Sequence, residues 1–372
     1  MRRTVLPLLL LLLIATLATS CAPSIRVERL KPALHNDAAI LTHITIKPFT
    51  GPDGRYRSRD SDALTRDIAS ILHNIEIDGV PYFSVTLQDS GRGKERFGAA
   101  RGGLPGTLGG YGVMGGHLLG QRCFVEHSVE ERRKCVKYKD SEAAPSGCVK
   151  WRPIKVDCFK STAEYGFDLH LKERESKRVV YTLRALGTKE SSACNSTPTK
   201  GRKNRAFKQS LGSIFGLDRR YGHLRCESWT GEQLLEKARQ KALGKAQRKL
   251  RRDIAPHYVT ETIRLMDSEK GIESADAKER LKKGIEYAKN LWLLKGCAEW
   301  KEADRLAPEN TSIIYNLGVC AEFYGRYKEA EELYDRARSF SDEPNDLIDR
   351  STKRVKRIIR GNKALTEQMN NH

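Results

Sequence analysis

Cysteines are the residues of this chain whose type and spacing most directly indicate chemistry. The sequence has nine of them, and six lie within about 100 residues of one another. These six are Cys123, Cys135, Cys148, Cys158, Cys194 and Cys226. An even number of clustered cysteines predicts a disulfide framework in an oxidising compartment. Six cysteines permit 15 connectivities, among which we expect the pairing of neighbours.

The spacing of the clustered cysteines disfavours a zinc site, because none of them stands in a C-x-x-C pair. Cys123 and His127 are spaced so that they can share one face of a helix, which supports only a weak metal interpretation. Cys297 and Cys320 form a separate pair. The two residues are either joined by a disulfide or buried as free thiols. We therefore expect no metal and no cofactor.

Cys21 ends a segment that is typical of a secretory signal peptide. Two arginines are followed by an apolar run from Val5 to Ala15, and small residues precede the cysteine. This ending resembles the bacterial lipobox, in which the cysteine is diacylated, the peptide is cut before it, and the new N-terminus is acylated. The resemblance implies a signal peptide of residues 1–20 and a lipid anchor on Cys21. Ordinary cleavage before an unmodified Cys21 is the alternative.

The residue after the lipobox cysteine indicates which membrane holds the anchor. It is Ala22, not an aspartate of the kind that resembles an inner-membrane retention signal. The expected location is therefore the outer membrane, with the protein facing the periplasm. Residues 21–36 lack apolar periodicity and contain two prolines, which predicts a tether without regular structure.

Catalytic motifs do not emerge from the sequence. It has no H-E-x-x-H, no G-x-S-x-G and no Walker A lysine, so we expect no catalytic residues and no enzyme. Gly110–Gly115 satisfies G-x-G-x-x-G literally, but it follows a loop rich in proline and glycine instead of the first strand of a βαβ unit. We interpret it as a glycine loop and not as a nucleotide site.

The chain is strongly basic, with a formal net charge of +20. In an exported protein this charge does not indicate nucleic acid, although in the cytosol it would. The anionic candidates that remain are lipid headgroups, lipopolysaccharide phosphates and peptidoglycan carboxylates. A generally solvated basic surface is the alternative.

Periodicity predicts an α/β layer followed by helices. Residues 40–47 alternate as a strand, Asp60–Ile75 has the period of a helix, and Tyr82–Leu87 alternates again. A later hairpin spans residues 165–183, and a basic helix from Thr230 to Asp253 leads into a last strand, Tyr258–Met266.

The opening Ile44-Thr45-Ile46-Lys47-Pro48-Phe49, with the helix and strand after it, resembles the curli-secretion (CsgG-like) lipoprotein superfamily, which includes penicillin-binding-protein activators of the LpoB type. The resemblance implies an α+β chain in which residues 37–268 form a three-layer α/β sandwich. A glycine-rich and cysteine-rich insertion at about 91–160 departs from the family pattern.

A repeat with a spacing of 34 begins after Glu269. It pairs Gly284 with Gly318, Trp300 with Tyr334 and Ala303 with Ala337. Together with Leu317, Tyr327 and Ala330, these residues resemble the tetratricopeptide repeat (TPR), in which small residues let paired helices cross closely. The resemblance implies repeats over residues 269–344, a capping helix over 345–372, and a concave surface that binds a partner protein.

These expectations favour an interaction scaffold in cell-envelope assembly or secretion, anchored to the membrane by its N-terminal lipid and binding envelope proteins through the TPR surface. The alternatives are a channel component of the curli-export type or a regulator of a peptidoglycan synthase. A pore requires strands with uncharged lipid-facing positions, and residues 121–160 are too charged for that.

Overall fold

The computed structural model describes residues 22–51, 59–88, 109–138, 148–194 and 229–372. The strands are β1 (Ser24–Lys31), β2 (His43–Ile46), β3 (Glu76–Ile77), β4 (Val80–Pro81), β5 (Ser84–Leu87), β6 (Tyr111–Tyr138), β7 (Cys148–Glu173), β8 (Val179–Cys194) and β9 (His257–Arg264). The helices are α1 (Asn36–Ala39), α2 (Arg59–His73), α3 (Trp229–Asp253), α4 (Ala275–Lys289), α5 (Leu293–Leu306), α6 (Thr311–Phe323), α7 (Tyr327–Ser339) and α8 (Asp346–Asn370).

The backbone passes three times between two units. The sheet unit holds Ala33–Pro256 and the last five residues, Gln368–His372, whereas the helical unit holds the chain up to Pro32 and His257–Glu367. The break near Pro256 differs from the boundary predicted near residue 268. It comes earlier because β9 pairs with β1 and not with the large sheet.

The sheet unit is built on five strands in the order β5-β2-β6-β7-β8. Strand β2 runs parallel to its neighbours β5 and β6, and the remaining pairs are antiparallel. Alternate side chains of β7 and β8 face the core, as the period of two predicted for this hairpin requires. The buried members of this set are Tyr165, Phe167, Leu169, Leu171, Tyr181, Leu183 and Ala185.

Helices α2 and α3 contact each other as well as the sheet, so both lie on one of its faces. Helix α3 lies directly on β8 through small buried residues, Ala238, Ala242 and Ala246. A Cβ atom on Gly187 of β8 would lie 2.7 Å from the Ala242 backbone nitrogen, so this close approach requires glycine.

The other sheet face is lined by polar side chains, including His43, Lys47, His117 and Asp168. Polar groups of this kind are costly to cover with an apolar layer. In the described part of this unit the arrangement therefore has two layers, one of helices and one of sheet, where the sequence predicted three.

Where the structure describes it, the segment predicted as a glycine loop and insertion forms two long paired β-strands. Strand β6 includes most of the G-x-G-x-x-G stretch, so these glycines do not open a helix as a nucleotide-binding motif would. From Cys158 outward, β6 and β7 continue beyond the end of β8 as a two-stranded ribbon. An isolated ribbon of this kind is marginally stable, so it depends on cross-links.

Disulfide bonds supply these cross-links. Cys135 pairs with Cys148 near the end of the ribbon, and Cys158 pairs with Cys194 where β8 ends. Both bridges join cysteines that follow one another in the cluster. Cys123 is also disulfide-bonded, whereas Cys21 and Cys226 lie outside the described residues.

The stretch expected to be an unstructured tether contains β1 instead. Ile25 and Val27 are buried and alternate with exposed Arg26 and Glu28, a short pattern that the flanking prolines obscured. Strand β1 pairs antiparallel with β9, from Ser24 opposite Arg264 to Lys31 opposite His257. This ribbon shares a core with the helices that follow it.

The helical unit is all α after β9 and contains five helices, as the sequence predicted for the C-terminal region. Helix α4 packs against α5, and α6 packs against α7. Cys297 of α5 and Cys320 of α6 form a disulfide, which resolves the open question about this pair and joins the two helix pairs. Helix α8 follows them from Asp346.

Candidate interaction site

Within each helix pair, the two helices meet through an equivalent seam. A Cβ atom on Gly284 of α4 would lie 2.7 Å from Trp300 Cδ1 of α5. A Cβ atom on Gly318 of α6 would likewise lie 2.7 Å from Tyr334 Cε1 of α7. Each glycine therefore makes room for the aromatic ring that fills its seam, and the two seams repeat at the spacing of 34 found in the sequence.

The remaining residues singled out by the repeat belong to the same core. Ala303, Ala330 and Ala337 are fully buried, and Leu317 and Tyr327 are partly buried against the same cluster. The structure therefore brings all nine of these sequence positions together in the packing of the helical unit. Seven of the nine are buried, and Leu317 and Tyr327 are partly exposed.

A buried charge cluster connects β1 with three helices. The Glu322 side chain is 1% exposed, and its carboxylate accepts hydrogen bonds from Arg354 Nε and Nη2 at 2.8 Å, Arg29 Nη2 at 2.9 Å and the Tyr334 hydroxyl at 2.8 Å. Arg29 also pairs with Glu261 of β9 at 3.2 Å. The cluster thus ties β1 and β9 to α6, α7 and α8.

The cluster keeps Glu322 ionised. Burial by itself raises the pKa of Glu322, but the hydrogen bonds and positive charge of Arg354, with the hydrogen bonds of Arg29 and Tyr334, lower it below its usual 4.5. Sequence reasoning missed this cluster. The available signal was a carboxylate inside the otherwise apolar helix α6.

A groove of about 740 Å³ opens beside the second helix pair. It is lined by the segment that follows β9, by the first residues of α6 and α8, and by the link between α7 and α8. Asn310 and Asn345 cap the two helices, each accepting hydrogen bonds from two first-turn amides. Phe340, whose side chain is 38% exposed, supplies apolar surface to the groove.

The charge of the groove differs from that of the chain as a whole. Its lining contains five carboxylates against three cations, although the protein carries +20. The carboxylates belong to Asp267, Glu309, Asp342, Glu343 and Asp346, and the cations to Arg264, Lys270 and Arg350. A segment with exposed lysines or arginines would complement this lining.

Histidines on the polar sheet face are the side chains of this unit best suited to act as a general acid or base. Thr50 Oγ1 and His117 Nδ1 are hydrogen-bonded, and His43 packs 4.9 Å from the Tyr111 ring. Burial, followed by the charges of Lys172 and His117, lowers the pKa of His170. Thr50 and His117 thus form a hydroxyl–histidine pair, but no other described side chain is hydrogen-bonded to the His117 ring, so the third group that would orient it as a base is not seen among the described residues.

The candidate metal ligands do not form a usable site. Glu130, Cys158 and Cys194 have ligand atoms within 4.8 Å of one another, but the two sulfurs are bonded to each other and cannot bind as thiolates. Cys123 is likewise oxidised, and His127 Nε2 lies 2.9 Å from Asp157 Oδ1.

Among the helices that the structure describes, none is long and apolar enough to cross a membrane.

Comparisons with known proteins show no family. No family model matches the chain, and no curated protein matches it. Similar solved structures include the PelC dodecamer from Paraburkholderia phytofirmans, 10% identical over 46% of this chain and 83% of that one, with a TM-score of 0.18. A putative neuraminyllactose-binding hemagglutinin homolog from Helicobacter pylori is also 10% identical, over 56% and 93% of the chains, with a TM-score of 0.20. Likenesses this weak carry no argument.

Proposed function

We propose that this protein is a lipid-anchored periplasmic scaffold of the outer membrane and that it binds an envelope protein through its helical unit. We further propose that its two helix pairs are tetratricopeptide repeats. The supporting observation is the repeated seam, in which Gly284 faces Trp300 and Gly318 faces Tyr334. Tandem helix pairs stacked in this way expose an extended surface to a partner and need no catalytic residues.

The groove beside the second pair is the part of this surface that best suits a polypeptide segment. It combines the exposed ring of Phe340 with polar groups at the starts of α6 and α8. The excess of carboxylates favours a partner segment that carries basic residues. We also propose that the sheet unit is related to the curli-secretion superfamily, on the basis of the Ile44–Phe49 segment with the helix and strand that follow it.

The proposed location rests on two features of the chain. The first is the lipobox-like ending at Cys21, which lies outside the described residues. The second is disulfide bonding, since Cys135–Cys148, Cys158–Cys194 and Cys297–Cys320 are all bridged. Structural disulfides are typical of the periplasm and other oxidising compartments.

We expect Cys21→Ser to move the protein from the membrane fraction into the soluble periplasm. The acyl chains anchor the protein because each buried CH₂ contributes about 0.8 kcal/mol. Fractionation should be carried out in high salt, which screens electrostatic attraction to lipid headgroups. A variant that still sediments with membranes under these conditions would contradict the anchor.

We expect Phe340→Asp to weaken capture of the partner from crosslinked envelopes at least about tenfold, because truncating one central aromatic anchor commonly costs 2 kcal/mol or more. Phe340 is already partly exposed, so the change adds little folding cost. The readout is the recovery of specific crosslinked proteins with the full-length chain, measured by quantitative mass spectrometry.

Leu306→Asp is the matched control. Leu306 lies 34 residues earlier, at the end of the first helix pair, where its side chain is 48% exposed and does not line the groove. Only the Phe340 variant should lose the partner. Equal recovery from both variants and the wild type would place the binding surface elsewhere on the chain.

A further inference from the structure

The turn between α4 and α5 exposes a group of large apolar side chains. Leu291 is 87% exposed, Trp292 is 56% exposed and Leu294 is 71% exposed. Leu293, between them, points inward and is buried. Single exposed apolar residues are ordinary on protein surfaces, but three within four positions form a patch that indicates a contact. We call Tyr287, Leu291, Trp292 and Leu294 the aromatic turn.

The backbone of the aromatic turn is strained. Leu291 has a φ of 64°, in the left-handed region that side chains other than glycine rarely adopt. The equivalent position of the second helix pair is Gly325, with a φ of 74°. The first helix pair therefore has an almost fully exposed leucine at the position where the second pair has glycine, which adopts this φ without strain. Strain of this kind is typical of sites where a side chain is held out for function.

The aromatic turn is also held rigidly. The Trp292 amide donates to the Tyr287 carbonyl at 2.8 Å, and the Leu291 amide donates to the Ala288 carbonyl at 3.2 Å. The Tyr287 and Trp292 rings lie 6.1 Å apart. These hydrogen bonds fix the backbone of the turn, and the ring contact positions Trp292 beside Tyr287.

Lysines surround these rings. Lys295 Nζ lies 4.4 Å from the Trp292 ring centroid and 5.8 Å from that of Tyr287, and Lys283 Nζ lies 6.0 Å from the Tyr287 centroid. Residues 282–295 contain four lysines and one glutamate, and all five are exposed. The turn therefore presents apolar tips at its centre and ammonium groups around them.

We propose that the aromatic turn is a membrane contact that inserts into the interface of a bilayer with anionic headgroups. Tryptophan and tyrosine favour this interface because their rings are amphipathic, and lysines beside them reach the phosphates while their stems stay in the apolar layer. Leu291 and Leu294 would enter the acyl boundary. Each lysine near an anionic surface adds attraction that falls off within a Debye length.

The size of the patch also favours a bilayer over a protein partner. A standard protein interface buries about 800 Å² on each side with about 20 to 30 residues, whereas the aromatic turn offers four large side chains on one turn. Insertion into a lipid interface requires no matching surface. The proposal does not depend on the partner groove, so each can fail without the other.

The test uses the tryptophan that belongs to the patch. The full-length chain is reconstituted into vesicles of phosphatidylglycerol and phosphatidylcholine whose acyl chains carry bromine, which quenches fluorescence on contact. Trp292→Phe removes only the Trp292 emission, so the difference between the two spectra isolates it from the other three tryptophans. We expect the bromolipids to quench most of this difference, and we expect the difference to shift to the blue when the chain binds the same vesicles without bromine, because the ring leaves water.

Phe340 provides the matched reporter position, because its ring is exposed in the other helix pair and at the opposite ends of the helices. The double variant Trp292→Phe, Phe340→Trp should show no quenching of the introduced tryptophan. Lys289→Met with Lys295→Met should reduce quenching in anionic vesicles towards the lower level seen in pure phosphatidylcholine.

Leu291→Gly tests the strain. It should raise the melting temperature of the chain by a few degrees, because glycine adopts this φ without cost, while it reduces the quenching of Trp292. If Trp292 remains unquenched in anionic vesicles, or if tryptophan at position 340 is quenched equally, the aromatic turn is not a membrane contact. A protein-binding role would then take its place.

Discussion

Glu322→Ala should lower the free energy of unfolding of the helical unit by about 3 to 5 kcal/mol, the usual cost of removing one partner from a buried ion pair. The variant leaves Arg29, which is buried, and Arg354, which is partly buried, without their common carboxylate, and in the described part of the chain only Glu261 remains as an ion-pair partner of Arg29. Two nitrogens of Arg29 already have no hydrogen-bond partner among the described residues, so this guanidinium cannot readily compensate. Urea unfolding followed by far-ultraviolet circular dichroism measures the loss.

Glu322→Gln separates the charge of this side chain from its shape. Because the folded pKa of Glu322 is lowered, its ionisation stabilises the fold above the usual value of 4.5, and this contribution is lost as the pH falls through the folded pKa. The wild type should therefore lose stability in acid more steeply than the glutamine variant. Parallel profiles for the two proteins below pH 4.5 would show that the buried charge does not stabilise the unit.

Tyr334→Ala should cost about 3 to 5 kcal/mol through the cavity left by the ring. Tyr334 is fully buried, packs 5.2 Å from Tyr315 and donates its hydroxyl hydrogen bond to Glu322. Tyr334→Phe keeps the ring and removes only the hydrogen bond to the ionised carboxylate, so it should cost about 1.5 to 3 kcal/mol. Chemical denaturation of the two variants distinguishes packing from polar contact. Similar costs for both would contradict a seam filled by the ring.

The glycine opposite this ring provides an internal check on the seam. Gly318→Ala should cost about 1 to 3 kcal/mol because its methyl group meets Tyr334 Cε1. In the background of Tyr334→Ala the same methyl group finds open space, so most of its cost should disappear. Additive costs in this double-mutant cycle would mean that the two helices do not meet at these residues. Either change should also weaken partner capture if the array forms the binding surface.

The helix pairs were predictable because their packing depends on local spacing. A small residue and an aromatic residue 16 positions apart occur twice at the same offset, and Gly284–Trp300 and Gly318–Tyr334 meet as that pattern predicted. The hairpin of β7 and β8 was predictable for a similar reason, since both strands alternate clearly and are joined by a short turn.

Long-range pairing was not predictable from local patterns. Residues 24–31 alternate over only a few positions, and their partner strand starts at His257. The charges that connect Arg29 with Glu322 and Arg354 are equally distant along the chain. Glycines at the start of β6 suggested a loop, because local propensity did not show that neighbouring strands on both sides would hold them extended.

The aromatic turn was missed for a different reason. Leu291, Trp292 and Leu294 are apolar, and apolar residues at the start of a helix are ordinarily assigned to a core. Leu291 adopts the left-handed conformation where the chain leaves α4, and sequence periodicity carries no information about the sign of φ.

The pairing of β1 with β9 determines the order in which this protein can assemble. Strand β9 is synthesised about 230 residues after β1, the strand with which it pairs. At about 5 to 20 residues per second, β1 waits for many seconds with its hydrogen-bonding edge open. Both the helical core and the Arg29 cluster need that edge to be closed. We therefore expect the newly made chain to depend on a holding chaperone until His257–Arg264 has emerged.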